Sequence, residues 1–205
     1  AFNEIVTDRH LLKSERPEPN HFTLYYTYGA SVFPNVRGLN FNTKDAFVVE
    51  SSAHKDTVTY WLRDTALVNQ DTLKMVVTQN ISDSTGVLRQ QEDTLTLLAK
   101  VPYAKRLKDK HKAFDEWKKK QDKLKKRGEP YETTMPEEPL KLEITPSGDM
   151  DPDQNISIVA KEPLKDVDTN HVRLFSHPSG DSLWYKEPYE LKRISNEEFQ
   201  VKAAW

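Results

Sequence analysis

From Tyr103 to Arg127 the sequence carries a helical repeat, and on both sides of it the apolar residues fall into short runs with the alternation of β-strands. Leu107, His111, Phe114, Trp117, Gln121 and Leu124 recur at spacings of three and four, which places them on one helical face. Pro102 closes the segment before it and Gly128 stops the repeat. The spacing predicts a helix of about 22 residues, roughly 33 Å long. A chain patterned this way reads as a β-rich module, a helical strut and a second β-rich module.

Charge is segregated onto the strut. Between Lys105 and Arg127 there are twelve Lys or Arg against four Asp or Glu, while the whole chain has a formal charge of -2. The helix therefore holds +8 and everything else -10. Three acids stand four residues before a lysine, Asp115 to Lys119, Glu116 to Lys120 and Asp122 to Lys126, the favourable orientation for ion pairs along a helix. The apolar stripe is thin, so the expected state is a solvated strut docked through Phe114, Trp117 and Leu124.

The first module is predicted from HFTLYYTY (21–28), AFVVES (46–51) and TVTYWLR (57–63), which are rich in β-branched and aromatic residues. TLKMVVTQNIS (72–82) and VLRQQEDTLTLLAK (87–100) flank a turn at 83–86, where Gly86 can take a positive φ and close a hairpin. The expected fold is an antiparallel meander, most simply a β-sandwich, preceded by a short helix around Ile5 to Leu12. After Gly128, four prolines between residues 129 and 148 predict an extended connection. NISIVA, HVRLFS, DSLWYK, YELKRI and EFQVKAAW then read as five strands. The last alternates up to Trp205, a large apolar residue at which few native chains stop, so a piece of a longer chain is expected.

A chain of 205 residues buries about 70% of the surface its unfolded form exposes, enough for a core without staples. It contains no cysteine, which removes disulfides and thiolate metal sites from consideration. No apolar run reaches transmembrane length, and AFNEIVTDRH has neither region of a signal peptide.

Chemical motifs are sparse. His10, His21, His54, His111, His171 and His177 are scattered, with no zinc-binding spacing, no nucleophile turn and no phosphate-cradling glycine loop. Asp149, Asp151, Asp153 and Asn155 alternate like the early ligands of a calcium loop, but Gln154 and Ala160 stand where that loop needs Gly and Glu. Trp61, Trp184, Tyr185 and Tyr189 are candidates for a sugar-stacking platform, although strand aromatics usually fill a core. The basic helix is a candidate for an anionic polymer or surface. A hydrolase would need a cleft carboxylate pair that no motif supplies. No catalytic, cofactor-binding or metal-ligating residue is assigned, and the chain is read as not an enzyme.

Within the strands, TVTYWLRDTALVNQDTLKMVVT and DSTGVLRQQEDTLTLLAKVPYAKRLKDK resemble Bacteroidetes cell-envelope lipoproteins built from bacterial Ig-like repeats. DPDQNISIVAKEPLKDVDTNHVRLF is similar to the opening of an SbsA-type Ig-like domain, with an apolar strand, a Pro-Leu turn and an Asp before the next strand. The resemblance implies two Ig-like β-sandwich modules in an exported, non-catalytic envelope protein. It also implies that Thr57, Thr65, Thr72, Thr94 and Ser182, each following Asp, fit a glycosylation pattern of exported proteins in that group. Spacing alone gives these pairs a plainer reading, in which Asp favours the turn and Thr opens the strand.

The expected architecture is mainly β: a sandwich module with its lead-in at 1–102, the basic helix at 103–128, a Pro-rich linker at 129–150 and a partial Ig-like module at 151–205. The expected function is a structural or interaction module of the cell envelope, the alternative being adhesion-type binding of a glycan or anionic surface polymer. Its expected partners are other domains of the same protein or other envelope proteins, with no cofactor, no nucleic acid, and the membrane reached only through an anchor elsewhere.

Overall fold

The structure is a computed structural model that describes residues 8–151, 154–177 and 180–203. It divides into two units, Ala1–Met135 and Pro136–Trp205. Both are built from antiparallel sheets, and the chain is mainly β.

In the first unit β1 (Leu11–Glu15), β2 (His21–Tyr26), β4 (Phe47–Ser51) and β5 (Thr57–Leu62) form one sheet in the order β1-β2-β5-β4. Strands β3 (Asn35–Gly38), β6 (Thr72–Ser82) and β7 (Leu88–Leu98) form a second in the order β3-β6-β7. The two-residue period decides which side chains meet. Phe22 and Leu24 lie opposite Tyr60 and Val58, and all four are buried. Leu73, Met75 and Val77 on β6 are fully buried in the same cluster, so both sheets feed one core, an arrangement consistent with a β-sandwich. The Phe22 and Tyr60 rings stack at 4.9 Å, and Phe47 meets Tyr60 edge-on at 5.6 Å. Gly86, at φ 78°, closes the β6–β7 hairpin.

Three features differ from the sequence expectation. The chain is not a meander, because β3 leaves the first sheet after β2 and pairs with β6 before β4 returns to it. Its four residues, NVRG, alternate too briefly to register as a strand alone. The lead-in is not helical where it is described: Leu11 and Leu12 belong to β1, and residues 5–7 of the expected helix lie outside the described residues. A helix there would leave the β2 edge unpaired, whereas Leu11–Glu15 pairs along it. Finally, Thr65–Asn69 forms a short helix, α1, capped by the Asp64 side chain on the Ala66 amide at 2.8 Å.

The second unit contains β8 (Leu142–Thr145), β9 (Ile156–Ala160), β10 (Leu174–Ser176), β11 (Tyr185–Glu187), β12 (Tyr189–Arg193) and β13 (Glu198–Ala203). Four of them form a sheet in the order β8-β9-β13-β12, while β10 and β11 pair separately as a hairpin. Strand β8 arises from the stretch read as a linker. Its register brings Ile144, Ile158 and Phe199 into one row across the sheet. The loop over that face is tied down by Tyr189, whose hydroxyl donates to Val172 O at 2.9 Å and Thr169 O at 3.1 Å. Among the described residues of this unit, only Ala160, Phe199 and Val201 are buried apolar side chains. Leu142 and Ile144, at the open β8 edge, remain 45% and 51% exposed.

Candidate functional site

Tyr103–Arg127 forms one helix, α2, of 25 residues. Its base is fastened to the first unit through backbone groups. The Tyr103 amide donates to Asp71 Oδ1 at 2.6 Å, which satisfies one of the free donors of the first turn. Arg106 Nη2 donates to Val68 O at 2.9 Å. Buried Arg16 reaches the same place from the other side, donating to Gln70 O and Pro19 O at 2.7 Å each, Leu67 O at 3.1 Å and Val68 O at 3.3 Å. Two guanidinium groups therefore gather the carbonyls that end α1, where the helix dipole is negative. Burial, and next the Arg106 charge, lower the Arg16 pKa, while Asp71 acts in the opposite direction.

The far end of α2 is closed by Gly128 at φ 72°, whose amide donates to Lys125 O at 3.2 Å while the Glu129 amide donates to Leu124 O at 3.0 Å. Beyond it the chain returns over one side of the helix. The Glu132 amide donates to Gln121 Oε1 at 2.9 Å, and Lys125 sits 5.4 Å from the centre of the Tyr131 ring. Trp117, Gln121 and Leu124 are half-buried, and Trp117 lies 5.7 Å from the Phe114 ring. Trp117 Nε1 is shielded from solvent and finds no hydrogen-bond acceptor among the described residues.

No residue of α2 is buried, and Leu107 and Phe114 are exposed along the same stripe. The expected docking through Phe114, Trp117 and Leu124 is thus restricted to partial cover of Trp117 and Leu124, while Phe114 stays 43% exposed. None of the three ion pairs expected from the sequence forms. The helix instead holds Lys112 against Glu116 at 3.9 Å, in the reverse and weaker orientation. Exposed long side chains lose more rotamer freedom in pairing than the contact returns in high-dielectric surroundings.

By helical geometry Lys105, Lys108, Lys112, Lys119, Lys123 and Lys126 fall within about 60° of one another, opposite the side that the return segment covers. All six are exposed. They form a row over about 31 Å, interrupted by Glu116.

The other candidates from the sequence are divided between the two units. Trp61 belongs to the first unit, where its ring lies 4.4 Å from His21 and its Nε1 donates to Glu50 at 3.1 Å. Trp184, Tyr185 and Tyr189 belong to the second unit, with the Tyr185 hydroxyl on Asp181 at 2.8 Å and Tyr189 holding the loop already described. Trp184 is 67% exposed and packs on His177 at 4.8 Å, so what survives of the platform is that ring pair on the β10–β11 hairpin. Of the alternating acids, Asp149 and Asp151 are exposed and Asp151 O accepts from the Gln154 amide at 3.0 Å, while Asp153 lies outside the described residues. Among the described residues no three His, Asp or Glu side chains gather where a metal could be held. Thr57, Thr72 and Thr94 lie within paired strands; Thr65 opens α1 and Ser182 is exposed in a loop.

Sequence reasoning missed the buried arginines. Arg9 is fully buried: its Nε donates to Asn80 O at 3.1 Å, its Nη1 to Tyr28 O, and its guanidinium lies 3.8 Å over the Tyr26 ring. The Tyr26 hydroxyl bonds Gln79, which donates onward to Asp93 at 2.7 Å. Burial pushes the Tyr26 pKa up to about 12. A lone Arg between polar neighbours gives no periodic signal. No family model, no curated protein and no solved structure matches this chain.

Proposed function

We propose that this chain is a non-catalytic structural or interaction module of an exported cell-envelope protein, made of two Ig-like units, the second partial, with α2 as a charged strut. The observation that carries the Ig-like part of this reading is strand order; the envelope location rests on the resemblance of the sequence. Sheets ordered β1-β2-β5-β4 and β3-β6-β7 have the sequence of strands of a constant-type immunoglobulin sandwich, in which the first, second, fifth and fourth strands face the third, sixth and seventh. The second unit repeats the first of these sheets as β8-β9-β13-β12, with the β10–β11 hairpin in the place of the third strand. Among its described residues no strands stand as counterparts of β6 and β7, which accounts for the few buried side chains there and the exposed Ile144.

Three groups with large shifts serve the fold. Asp83, held at about 2 by Thr85, Val87 and Arg89, fixes a hairpin turn. Tyr26 and Tyr60, both pushed upward by burial, belong to the core.

Fractionation of the source cells with an antibody raised against this chain tests the reading, followed by chemical cross-linking of the intact envelope. Recovery in the envelope fraction, cross-linked to other envelope proteins, is the expected result. Recovery in the cytosol, or hydrolysis of an envelope polymer by the purified protein, would overturn it.

A further inference from the structure

We propose that the lysine row of α2, Lys105, Lys108, Lys112, Lys119, Lys123 and Lys126, is a binding site for a linear acidic polysaccharide. This goes beyond the structural role above and would stand if that role were replaced by another.

Three observations carry it. First, the helix lacks what normally sustains one. Most helical stability in proteins comes from burying an apolar face, yet no residue of α2 is buried. Its row instead sets Lys105, Lys108 and Lys112, and then Lys119, Lys123 and Lys126, at spacings where like charges repel. A polyanion laid along the row removes that repulsion. The acids of the helix do so in one place only, where Glu116 approaches Lys112 at 3.9 Å.

Second, charge complementarity specifies the sign of the occupant. The helix carries +8 and the rest of the chain -10, so an anionic polymer is drawn to α2 and repelled elsewhere.

Third, geometry selects a polysaccharide. An amphipathic helix that enters a lipid surface does so by its apolar stripe, with lysines at the flanks. Here Trp117 and Leu124 of that stripe are half-buried, the return segment bonds Gln121 beside them through the Glu132 amide, and the lysine row lies on the opposite side of the helix. Duplex nucleic acid curves its phosphates away from a straight row, and no aromatic side chain stands among these lysines to stack on bases. A polyuronate is a linear chain with one carboxylate on every ring, so it offers negative charge continuously along the row of lysines. The row is all lysine, without the planar fork of Arg that pairs two oxygens at once, so recognition is by charge spacing.

The test uses the whole chain and fluorescent polygalacturonate longer than the helix, titrated between about 50 and 200 mM salt. Three proteins are compared: the unmodified chain, the row variant with all six lysines changed to Gln, and a control variant, K110Q/K118Q/K125Q, on the other side of α2. Gln keeps helix propensity close to that of Lys, and circular dichroism verifies that each variant remains helical. The expected result is salt-sensitive binding, weakened at least about 60-fold in the row variant, which is about twofold per lysine, and less than about 1.3-fold per lysine in the control, with the helix melting at a higher temperature when polymer is bound. Equal loss per lysine in both variants would overturn the proposal, because binding would then be diffuse. Absence of binding at the lower salt would also overturn it. So would tighter binding to phosphatidylglycerol vesicles or to duplex DNA than to polygalacturonate, since either would assign the row to a different class of surface.

Discussion

At the scale of single residues, the polar interior of the first unit is the most consequential feature. Arg9 supplies donors to the Asn80 and Tyr28 carbonyls and a cation to the Tyr26 face, and no aliphatic side chain can replace those contacts. Arg9→Met is expected to lower stability by about 3 kcal/mol, measured by urea unfolding, because two hydrogen bonds from a charged group and its contact with the Tyr26 ring are lost together. Asp83 gives a separate prediction in pH. Its pKa falls from an ordinary value near 3.9 to about 2, chiefly through hydrogen bonds from the Thr85 hydroxyl and amide. A depressed carboxyl pKa adds stability that is complete above the unfolded value and lost as pH falls through the folded one. Unfolding of Asp83→Asn should therefore differ from the parent at pH 6 and converge with it toward pH 2. Convergence already at pH 5 would contradict that assignment.

At the scale of elements, the helix is the part most legible in the sequence, because a three-and-four period sustained over about five turns has no strand alternative. Long strands β6 and β7 were legible for the same reason, being alternating runs on either side of a Gly turn. What escaped were β1, β3 and β8, at four or five residues each. Their identity comes from a neighbouring edge that needs partners, which is tertiary information. The site was legible as charge but not as geometry, since the expected acid–lysine pairs did not form and, within the row, Lys112 alone meets an acid of the helix. Two substitutions measure how α2 is held. Trp117→Ala should cost only about 1 kcal/mol, well below the 3 or more expected of a fully buried ring, because Trp117 is half-covered. Gly128→Ala should cost about 1 kcal/mol of helix stability, visible by circular dichroism as fraying of the last turn, because φ 72° strains any residue with a Cβ.

At the scale of the whole chain, two units of unequal cores should not unfold as one. The first holds a cluster that includes seven side chains with at most 2% exposure, Phe22, Leu24, Val58, Tyr60, Leu73, Met75 and Val77, while the described residues of the second bury only Ala160, Phe199 and Val201 among apolar side chains. Calorimetry is expected to resolve two transitions, the second unit melting first. Phe199→Ala should abolish the earlier transition and leave the later one in place; a single transition shifted as a whole would mean the units are energetically one.

The lysines at 105, 112, 119 and 126 repeat every seven residues, and seven residues fall about 20° short of two full turns of a straight α-helix. The row therefore leans around the axis as it climbs. In α2, length and bearing are coupled: adding a heptad continues the row and swings its far end a further 20°, whereas adding eleven residues continues it and swings that end about 20° the other way. A lineage lengthening this helix in either step keeps the row, and each step turns whatever lies along it.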